Sequence, residues 1–460
     1  MLNINYHLTL NDLSEKIREF WELSGNKIRL IAEDPSGFEG APVFTINGKY
    51  TSRGWTEWTQ GFLYGSAILQ FDATSDKYFL KLGKAGTLKQ MSNHLTHTGV
   101  HDHGFNNLST YGNLLRLIGE GKIEKNEWET HFYELGLKVS GAVQASRWTE
   151  IPDGGFIYSF NGPHSLFVDT IRTVRILMVS HMLGQKLYGE NDRVVNLLER
   201  GLQHIQTTAR YSVFYGSGRD CYDVPGRVAH ESIFNIHDGS FRCVNSQQGY
   251  SGFTTWTRGL AWAMLGFAEE LEFLDFIEDP ELEKIGDRQE IESFMLKAAQ
   301  VTSDFYIQNT PLDGIPYWDT GAPGLSLITD FLEKRADPYN NLEPVDSSAA
   351  TIAAQGLIRL GKYLEEIGHT ENSKKYFQAG LTVLDSLLTD TYLSTAENHQ
   401  GLILHSIYHR PRDWDHRAEP HSIPNGESSM WGDYHIREAV LLVQKMIREE
   451  PYYRFFNCIK

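Results

Sequence analysis

Two acidic residues stand where the local sequence gives them chemistry to do. Asp102 lies in His101-Asp102-His103-Gly104-Phe105, just ahead of a helical run, with an imidazole on either side. A carboxylate in that setting can serve acid–base catalysis; it can equally cap the helix that follows. Asp169 lies in Phe167-Val168-Asp169-Thr170, within an apolar run that reads as one helix over His164–Gln185. Asp is a poor helix-interior residue. Two accounts stay level. In one, Asp169 pairs with Arg172 on a solvated face, worth roughly a few tenths of a kcal/mol. In the other, it points into a cavity, where partial desolvation raises its pKa and lets it hold a proton. The two acids are 67 positions apart, close to one helical hairpin. That spacing sets them on neighbouring inner helices facing one cavity, and two convergent carboxylates are what acid–base work on a sugar requires.

A third segment, Thr255-Trp256-Thr257-Arg258-Gly259-Leu260-Ala261-Trp262, combines two indoles with a guanidinium. At a helix start all three can line one opening, and Arg can grip a carboxylate with two prongs. The structural alternative is a core Trp262 and an Arg258 tied up in an ion pair. His94, His97, His101 and His103 form a fourth group. His-x-His spacing can bind metal, which keeps a metal-dependent hydrolase in play. The run lacks the helical HExxH pattern, and no second ligand cluster accompanies it, so polar loop histidines are the preferred reading. No metal and no cofactor is expected.

These side chains need a scaffold, and the scaffold reads as helical. Apolar residues recur at helical spacing over Asn11–Ile31, from Trp58 onward, and over Asp76–Leu95, Gly104–Ile118 and Lys125–Ala145. They continue over His164–Gln185, Asp192–Ala209, Phe253–Leu274, Arg288–Ile307, Ser347–Ile367, Glu371–Leu388 and Asp433–Ile447. Strand candidates are few: Pro42–Ile46, and Ile28–Ala32, which competes with the end of the first helix. About a dozen helices over 460 residues means hairpins of about 75 residues each. A toroid of six hairpins fits that count, and a superhelical array would show a shorter, uniform period. The expected fold is therefore an all-α, (α/α)6 barrel forming one domain over 1–460. Ala336–Pro344 reads as a loop between helices rather than a linker. Long Gly-, Asp- and His-rich segments, Tyr211–Ser251 and Thr389–Trp431, are the expected carriers of the site.

Composition narrows the ligand. The formal net charge of −17 argues against nucleic acid, an anionic membrane or a long polyanion held along its length; a small anionic end group remains possible where local cations prevail. The 10 Trp, 22 Tyr and 24 Phe offer surfaces that stack on sugar rings. Three cysteines, Cys221, Cys243 and Cys458, fit neither zinc nor a disulfide framework. With no secretory signal visible and no apolar run of spanning length, the expectation is a cytoplasmic protein, or a periplasmic one if a leader has been removed. A monomer or homodimer is expected.

From about Trp55 to Val443 the chain resembles the unsaturated glucuronyl hydrolase family. The resemblance rests on an ordered set of short motifs: Trp58-Thr59-Gln60-Gly61-Phe62, His101-Asp102-His103-Gly104-Phe105, Val168-Asp169-Thr170 and Trp256-Thr257-Arg258-Gly259 with Trp262. It continues with Gly314-Ile315-Pro316-Tyr317-Trp318-Asp319, Asp346-Ser347-Ser348-Ala349 and Trp431-Gly432-Asp433-Tyr434. It implies an (α/α)6 barrel and a reaction on lyase-generated oligosaccharides. There the C4=C5 double bond of the non-reducing uronic acid is hydrated, rather than the anomeric carbon attacked. By resemblance Asp169 is the acid that protonates C4 and then activates water, and Asp102 is the second essential carboxylate. Trp58, His230, Gln248, Trp256, Arg258 and Trp262 match positions that line the sugar pocket. The family's aromatic residue shortly before the acid has no secure match, and Phe156 is the candidate. Ser406–Arg410 is a candidate contact for a sulfate or carboxylate. Two alternatives remain: an unsaturated rhamnogalacturonyl hydrolase acting on pectin fragments with the same chemistry, and a non-catalytic glycan-binding protein.

Overall fold

The computed structural model describes residues 1–34, 40–53, 57–419, 422–424 and 426–459. Trp55, where the resemblance begins, lies outside the described residues. Among the described residues six long helical segments are buried almost throughout: Gln60–Thr74, 103–119, 170–182, Thr257–Leu274, Ser347–Glu366 and Met430–Ile447. Each alternates in sequence with a helix that is buried on one face only: Ser14–Ala32, Lys77–Gln90, Glu127–Ser146, Leu197–Tyr211, Arg288–Asn309 and Thr370–Leu387. A helix that is apolar on all sides belongs inside and an amphipathic one outside. The last inner helix packs on both the first inner helix and Ser347–Glu366, which closes the ring. The fold is the (α/α)6 barrel that the periodicity suggested. One continuous apolar cluster runs from Leu2 to Ile459.

Three local expectations change. Ile28–Ala32 belongs to the first helix, while Pro42–Ile46 is a strand, paired antiparallel with Lys49–Ser52. The Tyr211–Ser251 segment is not all loop: Glu231–Phe234 and Phe241–Asn245 join Ser165–Phe167 in a three-stranded antiparallel sheet. That pairing also breaks the single helix read over His164–Gln185. Residues 165–167 are strand, and helix begins only at Thr170. Asp169 is therefore a helix-capping residue, not a helix-interior one, which removes the propensity objection to it.

The 103–119 segment contains a turn of π-helix at Leu108–Gly112. Two glycines explain how closely it packs. A Cβ on Gly104 would sit 2.1 Å from the Thr173 carbonyl oxygen, and one on Gly61 2.4 Å from the Asn106 oxygen. Only hydrogen at these positions lets three inner helices approach to backbone contact. Among the described residues no helix is long and apolar enough to cross a membrane.

Candidate active site

All six inner helices begin at one end of the barrel, and the residues that open them converge there. Trp58 precedes Gln60–Thr74, Asp102 caps His103–Asn107, Asp169 caps Thr170–Thr173, and Trp256 caps Thr257–Leu274. Asp346 and Ser429 cap the last two, each with a side-chain hydrogen bond to the first turn. By contrast, the Asp102 and Asp169 side chains make no capping bond. They face a cavity of about 350 Å³ instead. Four of these helix N-termini open directly onto the cavity and bias it toward anions, which offsets locally the negative charge of the whole chain.

The cavity is lined by Trp58, Asp102, Asp169, Gln248, Trp256, Arg258 and Trp262, seven of the eight residues singled out from sequence. His230, the eighth, stands just behind the wall, its ring 4.7 Å from Trp256 and 4.4 Å from Phe167. Its Nδ1 accepts from the backbone N–H groups of Gln247 and Gln248, at 2.9 and 3.2 Å. Burial holds it down to about 4, so the ring is neutral, with Nε2 as its N–H donor.

His101 lies between the two carboxylates. Its Nε2 is 3.7 Å from Asp169 Oδ1 and 3.9 Å from Asp102 Oδ1. At those distances charge couples the three groups, not a formed hydrogen bond. The Thr173 hydroxyl donates to the His101 carbonyl, tying this motif to the helix that Asp169 caps. Burial raises the pKa of Asp102, and the negative charge of Asp169 adds to that against the pull of His101. For Asp169 burial also pushes upward, but His101 outweighs it and holds the carboxyl below its ordinary value. The expectation of a raised Asp169 is thus reversed in the ligand-free site: the neighbouring imidazole prevails over desolvation. The Arg172 pairing is excluded too. Arg172 is fully buried and bonds to Glu269 at 2.9 Å and Glu438 at 2.7 Å.

Arg258 follows the structural alternative left open by the sequence, an ion pair, rather than the open fork. Its terminal nitrogens bond to Asp346 at 2.7 Å, the Tyr408 carbonyl at 2.7 Å, the Ile407 carbonyl and Gln248 Oε1 at 3.1 Å. Its guanidinium lies over the Trp256 ring at 4.7 Å. It forms part of the pocket floor, but the two-pronged grip is spent on protein rather than held open for a ligand. Trp262 is likewise both core and wall, packed at 4.8 Å on Phe105. Trp58 stacks on Trp431 at 5.2 Å.

Phe156 does not reach the site. It is buried in a separate small cluster, 4.8 Å from Phe234. Phe160, four residues on, is the half-exposed aromatic at the mouth. In the 406–410 segment Tyr408 and His409 line the pocket, whereas Arg410 turns to Glu343 at 3.3 Å. The cation and indole that line it from this loop are Arg412 and Trp414, which sequence reasoning passed over together with Glu57; His101, read only as a flank of Asp102 and a loop histidine, lines it too. The Arg410-Pro411-Arg412-Asp413-Trp414 run, basic and aromatic within a long loop, was the available signal. In the histidine run, His94 Nε2 bonds Gln60 at 2.9 Å, and His103 is held by Ser140 and the His97 carbonyl. Among the described residues no group of three or more His, Cys, Asp or Glu side chains is arranged to hold a metal ion.

No family profile matches the chain. It is 23% identical over 397 residues to the unsaturated glucuronyl hydrolase of Formosa agariphila, covering 85% of this chain and 81% of that protein. It is 24% identical over 421 residues to the unsaturated chondroitin disaccharide hydrolase of Streptococcus agalactiae, covering 90% and 87%. At 22–23% identity over most of its length, the chain is similar to proteins named unsaturated glucuronyl hydrolase. Solved structures carry the same fold. The enzyme from Streptococcus agalactiae superposes with a TM-score of 0.68 at 21% identity, over 94% of this chain and 92% of that one. The enzyme from Bacillus sp. GL1, described as responsible for the degradation of glycosaminoglycan, gives 0.68 at 21% identity, over 93% and 97%. An unsaturated glucuronyl hydrolase specific for heparin gives 0.69 at 18% identity, over 95% and 98%.

Proposed function

We propose that this chain is a glycoside hydrolase. In this reading it releases the unsaturated uronic acid from the non-reducing end of lyase-generated oligosaccharides, and its catalytic domain spans 1–460. The observation that carries the reading is the pair of buried carboxylates, Asp102 and Asp169, that cap adjacent inner helices and face one aromatic-lined pocket. It is supported by the likeness to relatives named for this activity.

In the proposed mechanism Asp169, once protonated, delivers its proton to C4 of the C4=C5 double bond, and positive charge develops at C5 and the ring oxygen. The Asp169 carboxylate then takes a proton from water as that water adds at C5. The resulting hemiketal opens and frees the neighbouring sugar. Because the anomeric carbon is never attacked, the carboxylate-spacing rule for retention or inversion does not apply. Asp102 helps hold the sugar and, as a nearby negative charge, favours the protonated form of its partner. Trp58, Trp256 and Trp262 enclose the ring. The Gln248 amide supplies a neutral donor toward its polar edge, and the Arg258 charge beneath the floor and the helix N-termini favour its carboxylate.

The test is a screen of unsaturated disaccharides from glycosaminoglycan and pectin lyases, following loss of the alkene's ultraviolet absorbance. Turnover of glucuronate-derived substrates is expected, with Asp169→Asn reducing kcat by about 10³-fold, as for removal of a general acid. Turnover confined to pectin fragments would reassign the substrate. No alkene loss on any of them, or full activity in Asp169→Asn, would overturn the reading.

A further inference from the structure

One side chain at the site whose position the hydrolase reading leaves unexplained is His101. Its ring is 2% exposed and clamped by two phenylalanines. Phe160 lies parallel to it at 6.3 Å, with 12° between the planes, and Phe167 meets it edge-on at 5.6 Å. Neither ring nitrogen has a hydrogen-bond partner, and neither does Asp169 Oδ1, the acceptor 3.7 Å away. Leaving a buried donor or acceptor unsatisfied costs about 1–3 kcal/mol, so this arrangement needs a reason. The other buried histidines of the site have at most one unbonded nitrogen, as with His230 Nε2 and His409 Nδ1. His103 has both nitrogens bonded, and His230 has Nδ1 bonded. The charged and titratable groups facing His101 are few. Burial opposes its cation most strongly, Asp102 and Asp169 together outweigh that, and Arg147 also opposes it. His204 and His230 are held neutral by burial, down to about 3 and about 4, and His97 lies on the same loop, near Asp102. Among these, the two carboxylates are the groups within 4 Å of Nε2.

We propose that His101 is a positioning residue that holds the site's working proton between Asp102 and Asp169 while the pocket is empty, and hands it to Asp169 when a sugar enters. The proposal rests on the hydrolase reading. It also supplies what that reading lacks, because an acid whose ionised form is favoured in the empty site must be loaded. The transfer balances without an outside reactant. The Nε2–H bond breaks, an O–H bond forms on Asp169, and an imidazolium–carboxylate pair becomes a neutral imidazole and a carboxylic acid. An entering sugar drives it by expelling water, since a dry pocket penalises the ion pair more than the neutral pair. The 3.7 Å separation is typical of a ligand-free site that tightens on binding. After each turnover the proton taken from water restores the Asp169 acid, and it passes back to His101 as the pocket empties, so the cluster conserves one proton from cycle to cycle.

Two measurements test this. With ¹³C-labelled histidine, the His101 Cε1 resonance is identified in the ligand-free protein by its absence in His101→Gln. It is expected to report an imidazolium that persists above the ordinary histidine range, and to titrate about one pH unit lower in Asp169→Asn. A ring that is neutral from pH 5 to 8, or unmoved by Asp169→Asn, overturns the proposal. This readout needs no turnover, so its failure is distinct from failure of the hydrolase reading. In the pH profile of kcat/KM, His101→Gln is expected to shift the alkaline limb to lower pH by about one unit. Removing one site from a coupled cluster leaves fewer ways to hold the shared proton. A lowered rate with an unmoved alkaline limb would make His101 merely structural.

Discussion

Gly104→Ala tests whether backbone contact between two inner helices sets the distance between the acids. The added Cβ would stand 2.1 Å from the Thr173 oxygen and 2.7 Å from Thr173 C and Cα, where ordinary contact begins at 3.4 Å. The obstacle is backbone, so no rotamer change relieves it, and the helices must separate by roughly 1 Å, the overlap left at ordinary packing distances. Asp102 lies two residues before Gly104, and Asp169 four before Thr173, so the separation passes directly to the two carboxylates. A displacement of that size costs on the order of 10²-fold in turnover, together with about 1–3 kcal/mol of overpacking strain. The control is Gly25→Ala in the first helix. There the nearest atoms are side-chain ends of Gln70 and Phe79 at 3.2 Å, and helix propensity favours Ala by about 1 kcal/mol. Alkene-absorbance kinetics and urea unfolding of both variants give the comparison. If Gly104→Ala kept wild-type kcat and matched Gly25→Ala in stability, helix contact would not be what sets the acid–acid geometry.

Two further outcomes follow from the site's charges. Asp102 has a folded pKa above its unfolded one, so its ionisation opposes folding, and stability is lost as pH rises through the folded value. Asp102→Asn should therefore stabilise the ligand-free protein at neutral pH by roughly 1 kcal/mol, an ordinary single-substitution effect. The gain should fade as pH falls toward the ordinary carboxylate range, as read by urea unfolding at several pH values. Arg258→Met leaves Asp346 buried without its 2.7 Å partner and should cost about 3–5 kcal/mol of unfolding free energy. A guanidinium kept open for substrate would instead leave stability unchanged and raise KM alone.

Much was legible along the chain because it is written in local chemistry. Helical periodicity survives folding, so the helices from Arg288, Ser347 and Thr370 begin within a residue of where the pattern places them. The Asp102 motif and the Trp256–Trp262 segment announce themselves because imidazoles, carboxylates, indoles and a guanidinium rarely cluster at a helix start without purpose. Asp169 was found by the same logic but misplaced within its element. The strand partner that cuts short its helix lies more than sixty residues away, at Glu231–Ile233, and strand pairing is not a local property.

What the sequence by itself determined is the barrel, the two acids and the aromatic, anion-tolerant character of the pocket, since each follows from residue types and their period. Tertiary structure alone decided the working state of those residues. Proximity of His101 reverses the direction expected for Asp169, because a charge under 4 Å away outweighs the burial that acts on the same carboxyl. Partners drawn from Asp346 and the 407–408 backbone turn Arg258 from a free fork into a floor. Chain return over more than three hundred residues brings Tyr408 against Trp58 and sets Arg412 and Trp414 in the wall of the same pocket. Charge coupling and hydrogen-bond satisfaction depend on distance in space, which no spacing along the chain records.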